Sequence, residues 1–425
     1  MKFTSYWLDT APATPDRSQT EIGGEVDVAI VGAGLTGTSA ALHLARKGAR
    51  VAVLEKETVG WGASGRNGGM ATPGLSLGLL DAIARYGFPT ARDLYNSYYD
   101  AIDSIEKLVA EEGIDCDFAR NGKLNLAAKA AHYEGMKRTH EVLTERMGVD
   151  TTLVPAGDLD AEIRSPRYHG GILDPLGAGL HVGKFVKGLG ESAVRAGAEI
   201  HEKAGVESLE RLGGTRFDLV TSRGRIRADK VLVATSGYTT RPFRWQQVRI
   251  APVGSFIIVT EPLGKEACDQ LLPNRRMVSD SKNLLYYFRI TPDHRLLFGG
   301  RARFAMAGPG SDEKSGRILR EAMVSVFPQL ALAKVDYCWG GLVDMSMDRM
   351  VHAGERDGVF YSLGYSGHGV QMATHMGRQM ADYMNGSFDA NPWRDLDFKR
   401  IPGHFGPPWF LPFAGAYYRF QDAIR

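Results

Sequence analysis

Apolar positions follow three patterns along the chain. Short unbroken runs occur in Val26–Val31, Val51–Leu54, Lys230–Tyr238 and Gly358–Gly364. Such runs, rich in β-branched residues, predict strands of a parallel sheet buried on both faces. Helical spacing appears from Thr36 to Lys47, where Ala40, Ala41, Leu44 and Ala45 share a face. It recurs at 77–112, about 130–147, 182–197, 311–327 and 370–384. In 182–197 the stripe is Phe185, Val186, Leu189 and Val194. Strand alternation marks Gly122–Ala128, and Gly170 to His181 reads as a Gly/Pro-rich strand and turn. Four short segments, 199–202, 205–212, 216–221 and 224–228, read as a β-meander; Val253–Thr260, Leu284–Ile290 and Arg295–Gly300 complete the strands. The order is α/β: an opening βαβ unit, an inserted region of mixed elements, and a return to the first sheet at Lys230.

The first turn sharpens this picture. Gly32, Gly34 and Gly37 form G-x-G-x-x-G directly after a strand and at the start of a helix. Gly32 permits the turn, Gly34 the approach of a pyrophosphate, and Gly37 close packing of helix on sheet. The helix N-terminus points its N–H groups and dipole at the phosphates. Glu55 ends the next strand, where a carboxylate accepts from both ribose hydroxyls and repels a 2′-phosphate. Strand, turn, helix, strand and acid together predict dinucleotide binding. Gly60–Gly65 repeats the glycine spacing without the flanking elements, so spacing alone decides little. Its loop, Gly60–Gly69, carries five glycines with Trp61, Arg66 and Asn67, and reads as a backbone surface for a ligand more than as a linker.

Bulk properties change little. The 425 residues suit two domains, and a formal charge of +2 predicts neither nucleic-acid nor membrane binding. Three scattered cysteines and 11 histidines without ligand spacing predict no disulfide framework and no metal site. The chain has no 18-residue apolar run and no evident secretion signal, so the expected setting is cytoplasmic. Tyr6 and Trp7 are expected to dock on the body.

A second turn, Gly364-Tyr-Ser-Gly-His-Gly369, stands between a buried strand and a long helix. A nicotinamide enzyme needs no second cofactor element so far from the first. A helix N-terminus here suits the negative charge of a reduced flavin. With it the sequence resembles the glycine/D-amino-acid oxidase-like superfamily of FAD-dependent amine oxidoreductases, and most the gamma-glutamylputrescine oxidase group. The stretches that carry the resemblance are Ser5–Leu8, Asp27–Glu55, Gly60–Gly69, Lys230–Tyr238, Leu297–Arg301, Trp339–Val343, Gly358–Val370 and Pro407–Asp422.

The resemblance implies a discontinuous Rossmann-like FAD-binding domain (1–95, 181–245 and 345–425) and a substrate domain on a mixed or antiparallel sheet (96–180 and 246–344). It implies non-covalent FAD. Gly32, Ala33, Gly34, Leu35, Thr36 and Gly37 would cradle the pyrophosphate, with Glu55 and Lys56 at the ribose and Val206 at the adenine. Gly62, Ala63, Ser64, Arg66, Asn67, Gly68, Gly69 and Met70 would run toward the ring. Ala234, Thr235, Ser236 and Gly341 would approach from strand ends, and Gly364, Gly367, His368, Gly369, Val370 and Gln371 would meet the pyrimidine edge.

The implied reaction is C–N oxidation: hydride transfer from a neutral amine to flavin N5, imine hydrolysis, and reoxidation by O2 or another acceptor, with H2O2 from O2. Sarcosine-oxidase-like members carry a lysine beyond the Gly-His-Gly turn that grips a substrate carboxylate. Here the residues are Val370 and Gln371, which favours an amine without an adjacent carboxylate, such as a gamma-glutamylputrescine-like amine. His368, Tyr287 and Arg301 are the pocket candidates, each weighed against a structural role: shaping a turn, core packing, and an ion pair. Met70 and Trp339 are candidates for the ring face. A D-amino-acid or N-methylamino-acid oxidase or dehydrogenase is the alternative enzyme, and a non-catalytic flavin-binding or assembly protein the alternative of another class.

Overall fold

The computed structural model describes residues 1–300, 311–387 and 391–424. In chain order, α1 (Tyr6–Thr10), β1 (Glu25–Val31), α2 (Leu35–Arg46), β2 (Val51–Leu54) and β3 (Met70–Ala71) precede α3 (Leu79–Tyr86) and α4 (Phe88–Glu112). β4 (Lys123–Leu126), α5 (Ala130–Glu141), β5 (Thr152–Pro155), β6 (Gly170–Asp174), β7 (Ala178–Gly179), α6 (Val182–Arg195) and β8 (Glu199–His201) follow. Next come β9 (Val206–Gly213), β10 (Arg216–Thr221), β11 (Arg225–Val233), α7 (Arg244–Gln247), β12 (Ala251–Thr260) and α8 (Lys265–Leu271). β13 (Met277–Asp280), β14 (Tyr286–Ile290), β15 (Leu296–Gly300), α9 (Ser311–Val326) and β16 (Val335–Met345) lead to β17 (His352–Arg356), β18 (Val359–Leu363), α10 (Gly369–Met384) and α11 (Leu411–Ile424).

Two eight-stranded sheets organise the molecule. The first runs β17-β18-β11-β1-β2-β8, with β10 and β9 branching from β11. Its centre is parallel: β1 lies between β2 and β11, and Ala29 and Ile30 have no exposed surface. This is why the run in β1 is apolar on both faces.

Two expectations are corrected here. The segment 199–202 is no part of a meander; β8 pairs parallel with β2 at the sheet edge. Segments 224–228 and 230–238 form one strand, β11. One edge of β11 pairs with β1, and the other is shared by β10 at 225–228 and β18 at 231–233. The pattern changes mid-strand because the first half alternates between core and solvent and the second half is buried.

The second sheet runs β16-β12-β15-β14-β13-β4-β6-β5 and is antiparallel except where β13 meets β4. β16 escapes pattern reading because Gly340 and Gly341 interrupt it. The 25-residue α4 runs without a break through 95–96, and its Leu94, Tyr98, Ile102 and Ile105 sit in the same apolar core as α2 and α10. α10 crosses α2 at Gly377, where a Cβ would lie 2.5 Å from Thr36 O. No helix among the described residues is long and apolar enough to cross a membrane.

The N-terminal aromatics dock as expected. Trp7 is fully buried and its Nε1 donates to Asn67 O at 2.7 Å, while Ser5 Oγ donates to Gly65 O at 2.5 Å. His181 caps α6 beneath them: its Nδ1 accepts from Lys184 N at 3.2 Å and its Nε2 meets Thr10 Oγ1 at 2.9 Å. Burial, with the charge of Lys184, pushes its pKa down to about 4. A base with a depressed folded pKa contributes stability that is full above the free-histidine value and lost as pH falls toward 4. The expected result is that His181→Asn, which keeps a cap acceptor but does not titrate, loses less stability than the parent between pH 7 and 4. The difference, up to about 3 kcal/mol, is read from urea unfolding at each pH; parallel losses would contradict it.

Candidate cofactor and active site

A cavity of about 1110 Å³ runs from the carboxyl ends of the parallel strands to one face of the second sheet. This exceeds the roughly 300–1,000 Å³ of common ligand pockets. One end is built by the first turn. Gly32 has φ +105°, and a Cβ there would lie 2.8 Å from Ala234 O. A Cβ on Gly34 would lie 2.7 Å from Ser64 Oγ, which accepts from Leu35 N at 2.9 Å. The glycine turn is therefore closed on one side by the 63–68 loop and on the other by the end of β11.

Glu55 is fixed by the backbone: it accepts from Ala33 N at 2.7 Å and Glu57 N at 2.8 Å. Burial raises its pKa against those two hydrogen bonds. Its oxygens keep further lone pairs for a ligand's hydroxyls. Two backbone N–H groups near the helix start, those of Ala33 and Leu35, are thus already used, which narrows the set that can meet a phosphate.

The 60–69 loop is held by its own polar groups. Asn67 Nδ2 donates to Ala63 O and Ser64 O, and its Oδ1 accepts from Gly69 N. Arg66 donates to Trp61 O and Gly340 O and stacks over Trp61 at 4.7 Å. From the second sheet, the buried Arg289 donates to Gly69 O and Leu180 O; burial lowers its pKa to about 10.

The C-terminal turn closes the other end. Gly364 has φ +82°, Ser366 φ +51° and Gly367 φ +100°. Asp344, at the end of β16, accepts from Gly364 N at 2.8 Å through its side chain and from Ser366 N at 3.2 Å through its carbonyl. Burial pushes its carboxyl up to about 6, against hydrogen bonds from Gly364, Tyr365 and Ser236. It thereby ties this turn to the 234–238 turn. The Tyr365 hydroxyl meets Thr36 Oγ1 at 2.7 Å, joining the C-terminal turn to the N-terminal helix.

The comparisons with known proteins agree with this geometry. The family described as DAO, FAD dependent oxidoreductase, matches residues 27–383. The chain belongs to the FAD-dependent oxidoreductase family. It is 32% identical to the gamma-glutamylputrescine oxidoreductase of Escherichia coli K12, over 94% of this chain and 93% of that protein. It is 31% identical to the probable oxidoreductase OrdL of Haemophilus influenzae, over 99% and 97%. The glycine oxidase of Geobacillus kaustophilus shares the fold, with a TM-score of 0.72 at 23% identity, covering 89% of this chain and all of that one. This family member is an FAD-dependent enzyme whose relatives act on amine or amino-acid C–N bonds.

The glycine cradle, Glu55 and the dipole end of α10 fit FAD. Of the residues expected to hold it, Ala33, Gly37, Gly69, Gly364 and Gln371 stand behind the cavity wall; the others line it. Gly37 acts through packing: a Cβ there would lie 1.9 Å from Gly32 O. Gln371 is fully buried in α10 and its Nε2 donates to Thr72 O at 2.6 Å. Trp339 is also behind the wall, donating to Arg66 O at 3.1 Å, while Met70 lines the cavity.

Among the pocket candidates, Tyr287 and His368 line the cavity; Arg301 lies outside the described residues. Tyr287 is wedged between Gly68 and Gly299, where added Cβ atoms would come within 3.1 and 2.2 Å of its ring. Its hydroxyl is 3.2 Å from Ser255 Oγ. Tyr286 points to the opposite face and packs on Phe298. His368 stands at the N-cap position of α10, without a capping hydrogen bond from its side chain, and meets the edge of Tyr98 at 5.7 Å. Sequence reasoning missed Asp344, Arg289, Lys123, Asn125 and Ser279. A lone acid within Gly341-Leu-Val-Asp-Met345 is a readable signal for the first; the others look like ordinary strand positions.

Proposed function

We propose that this enzyme oxidises the C–N bond of an extended, gamma-glutamylputrescine-like amine and passes the electrons to O2, releasing H2O2. Gln371 carries the reading. The position that would offer a cation to an adjacent carboxylate holds a carboxamide turned toward Thr72 O and absent from the cavity wall. The size of the cavity and the similarity to the Escherichia coli gamma-glutamylputrescine oxidoreductase support it.

Bound FAD supplies a two-electron acceptor for the hydride on the carbon bearing the nitrogen. Gly32, Gly34 and Glu55 would bind its ADP portion. The start of α10, at Gly369 and Val370, would offer the positive end of a helix dipole to negative charge on a bound flavin ring. Tyr287 and Ser255 offer hydroxyls at the sheet face, and Tyr287 holds a substrate against the 68–70 segment. The division into a cofactor domain (1–95, 181–245, 345–425) and a substrate domain (96–180, 246–344) belongs to the same proposal.

Anaerobic mixing of the FAD-loaded protein with gamma-glutamylputrescine, putrescine, sarcosine, glycine and D-alanine tests it. Loss of flavin absorbance at about 450 nm is expected fastest with the extended amine, and peroxide should form one for one with amine in air. Faster bleaching by sarcosine or a D-amino acid would assign the alternative enzyme. No bleaching by any amine would assign a flavin-binding protein without turnover.

A further inference from the structure

The cavity wall contributed by the second sheet carries a lysine that forms no ion pair among the described residues. Lys123 lies on β4, where side chains alternate: Leu124 and Leu126 enter the apolar core of the second sheet, and Lys123 and Asn125 line the cavity. Lys123 Nζ donates to Pro73 O at 2.9 Å, leaving two of its three N–H donors. Asp174 stands opposite it on β6 and attracts it, but that carboxylate accepts from Tyr99 Oη at 2.7 Å and Leu176 N at 3.0 Å, and no ion pair joins the two. Burial lowers the Lys123 pKa. An enclosed ammonium that forms no direct ion pair is costly, and an anion in the cavity lowers that cost.

The neighbouring side chains make a polar ledge. Ser279 on β13 pairs with Asn125 and, on its other side, with Tyr287 on β14. Ser279 Oγ lies 3.5 Å from Asn125 Oδ1. Neighbouring strands are about 4.8 Å apart, so the ledge from Tyr287 to β4 spans on the order of 10 Å. Tyr287 packs on Gly68 of the cofactor loop, so the ledge begins beside that loop and ends at the lysine.

We propose that Lys123, with Asn125 beside it, receives a carboxylate on the substrate remote from the reacting amine, by about the length of this ledge. The inference rests on the amine-oxidation reading and narrows it to amines with a distant carboxylate. Such a substrate satisfies both observations: no cation at Gln371 for an adjacent carboxylate, and across the cavity a lysine with two donors left and no direct ion pair among the described residues.

The test uses the FAD-loaded enzyme and two amines that differ in one group: N-glutarylputrescine, ending in a carboxylate, and N-pentanoylputrescine, ending in a methyl. The parent should bind the first about 10- to 100-fold more tightly, seen in KM and in the concentration dependence of anaerobic flavin reduction. The limiting reduction rates should be similar. Lys123→Met should raise KM for the carboxylate alone by that factor, and Lys123→Arg should restore part of it. Glutarate, which carries no amine, should perturb the flavin spectrum of the parent and not of Lys123→Met. If Lys123→Met fails to retain FAD, Lys123→Gln is read in the same way. Equal KM values for both amines in the parent, or an unchanged ratio in the variants, would overturn the proposal while leaving amine oxidation standing. If no amine reduces the flavin, the amine-oxidation reading fails, and glutarate binding that depends on Lys123 still reports the anion site.

Discussion

Replacing Gly37 with alanine is expected to yield a protein that purifies without its yellow cofactor. The single added carbon would lie 1.9 Å from Gly32 O and 3.3 Å from Ile30 Cγ2. The first is a backbone atom of the very turn that would hold the pyrophosphate, so it cannot rotate aside. Relief requires α2 to lift from β1, and overpacking of this kind costs about 1–3 kcal/mol or more. Lifting α2 also moves Thr36, whose hydroxyl joins the Tyr365 turn, so both ends of the cofactor site shift together. FAD affinity should fall at least about 100-fold, measured by titration of the apoprotein and by the ratio of flavin to protein absorbance. Gly23→Ala is the control, since a Cβ there meets no atom within 4 Å. A fully yellow Gly37→Ala protein with parental affinity would refute the packing role.

Asp344 should dominate a second measurable effect. Burial pushes its carboxyl up to about 6 in the fold, from an ordinary value of 3.8. The folded state therefore binds the proton more tightly than the unfolded chain. The stabilisation this gives is full below the unfolded value and is lost as pH rises through the folded one. A change of that size corresponds to about 3 kcal/mol. The unfolding free energy of the parent, compared with that of Asp344→Asn at a fixed saturating FAD concentration, should fall by this amount between pH 4 and 7. The sign is opposite to that expected for His181, and because each residue is compared with its own variant, the two trends separate. A difference that stays flat with pH would mean that the carboxyl remains ionised in the fold.

The two cofactor turns were legible because their chemistry constrains local sequence. Glycine at 32, 34 and 37 answers to contacts within one βαβ unit, and Glu55 lies one strand away. The return to this sheet at 230 was legible for the same reason: a strand buried on both faces must be apolar throughout. β11 reads from sequence as two segments because its partners change along its length, and no local pattern records a partner. β8 is not readable from sequence because a three-residue edge strand carries too little periodicity to distinguish a meander from a parallel crossover.

The substrate end was less readable. In Lys123-Leu-Asn-Leu126 the alternation of polar and apolar positions is plain, and it marks one face of a strand as wet. A solvated surface and a ligand cavity ask for the same polarity, so the pattern does not separate them. Likewise, Tyr286 and Tyr287 must face opposite ways, but only the placement of β13 and β15 turned Tyr287 toward the cofactor loop. By itself the sequence determined a buried parallel sheet with two distant glycine turns at helix starts, and through them the resemblance to an FAD-dependent family, because helix starts, glycine turns and buried strands are short-range requirements. The tertiary structure decided that Gln371 faces Thr72, that Asp344 braces two turns at once, and that Lys123 ends a polar ledge inside the cavity. Each depends on which segment packs opposite, a relation between residues far apart in the chain.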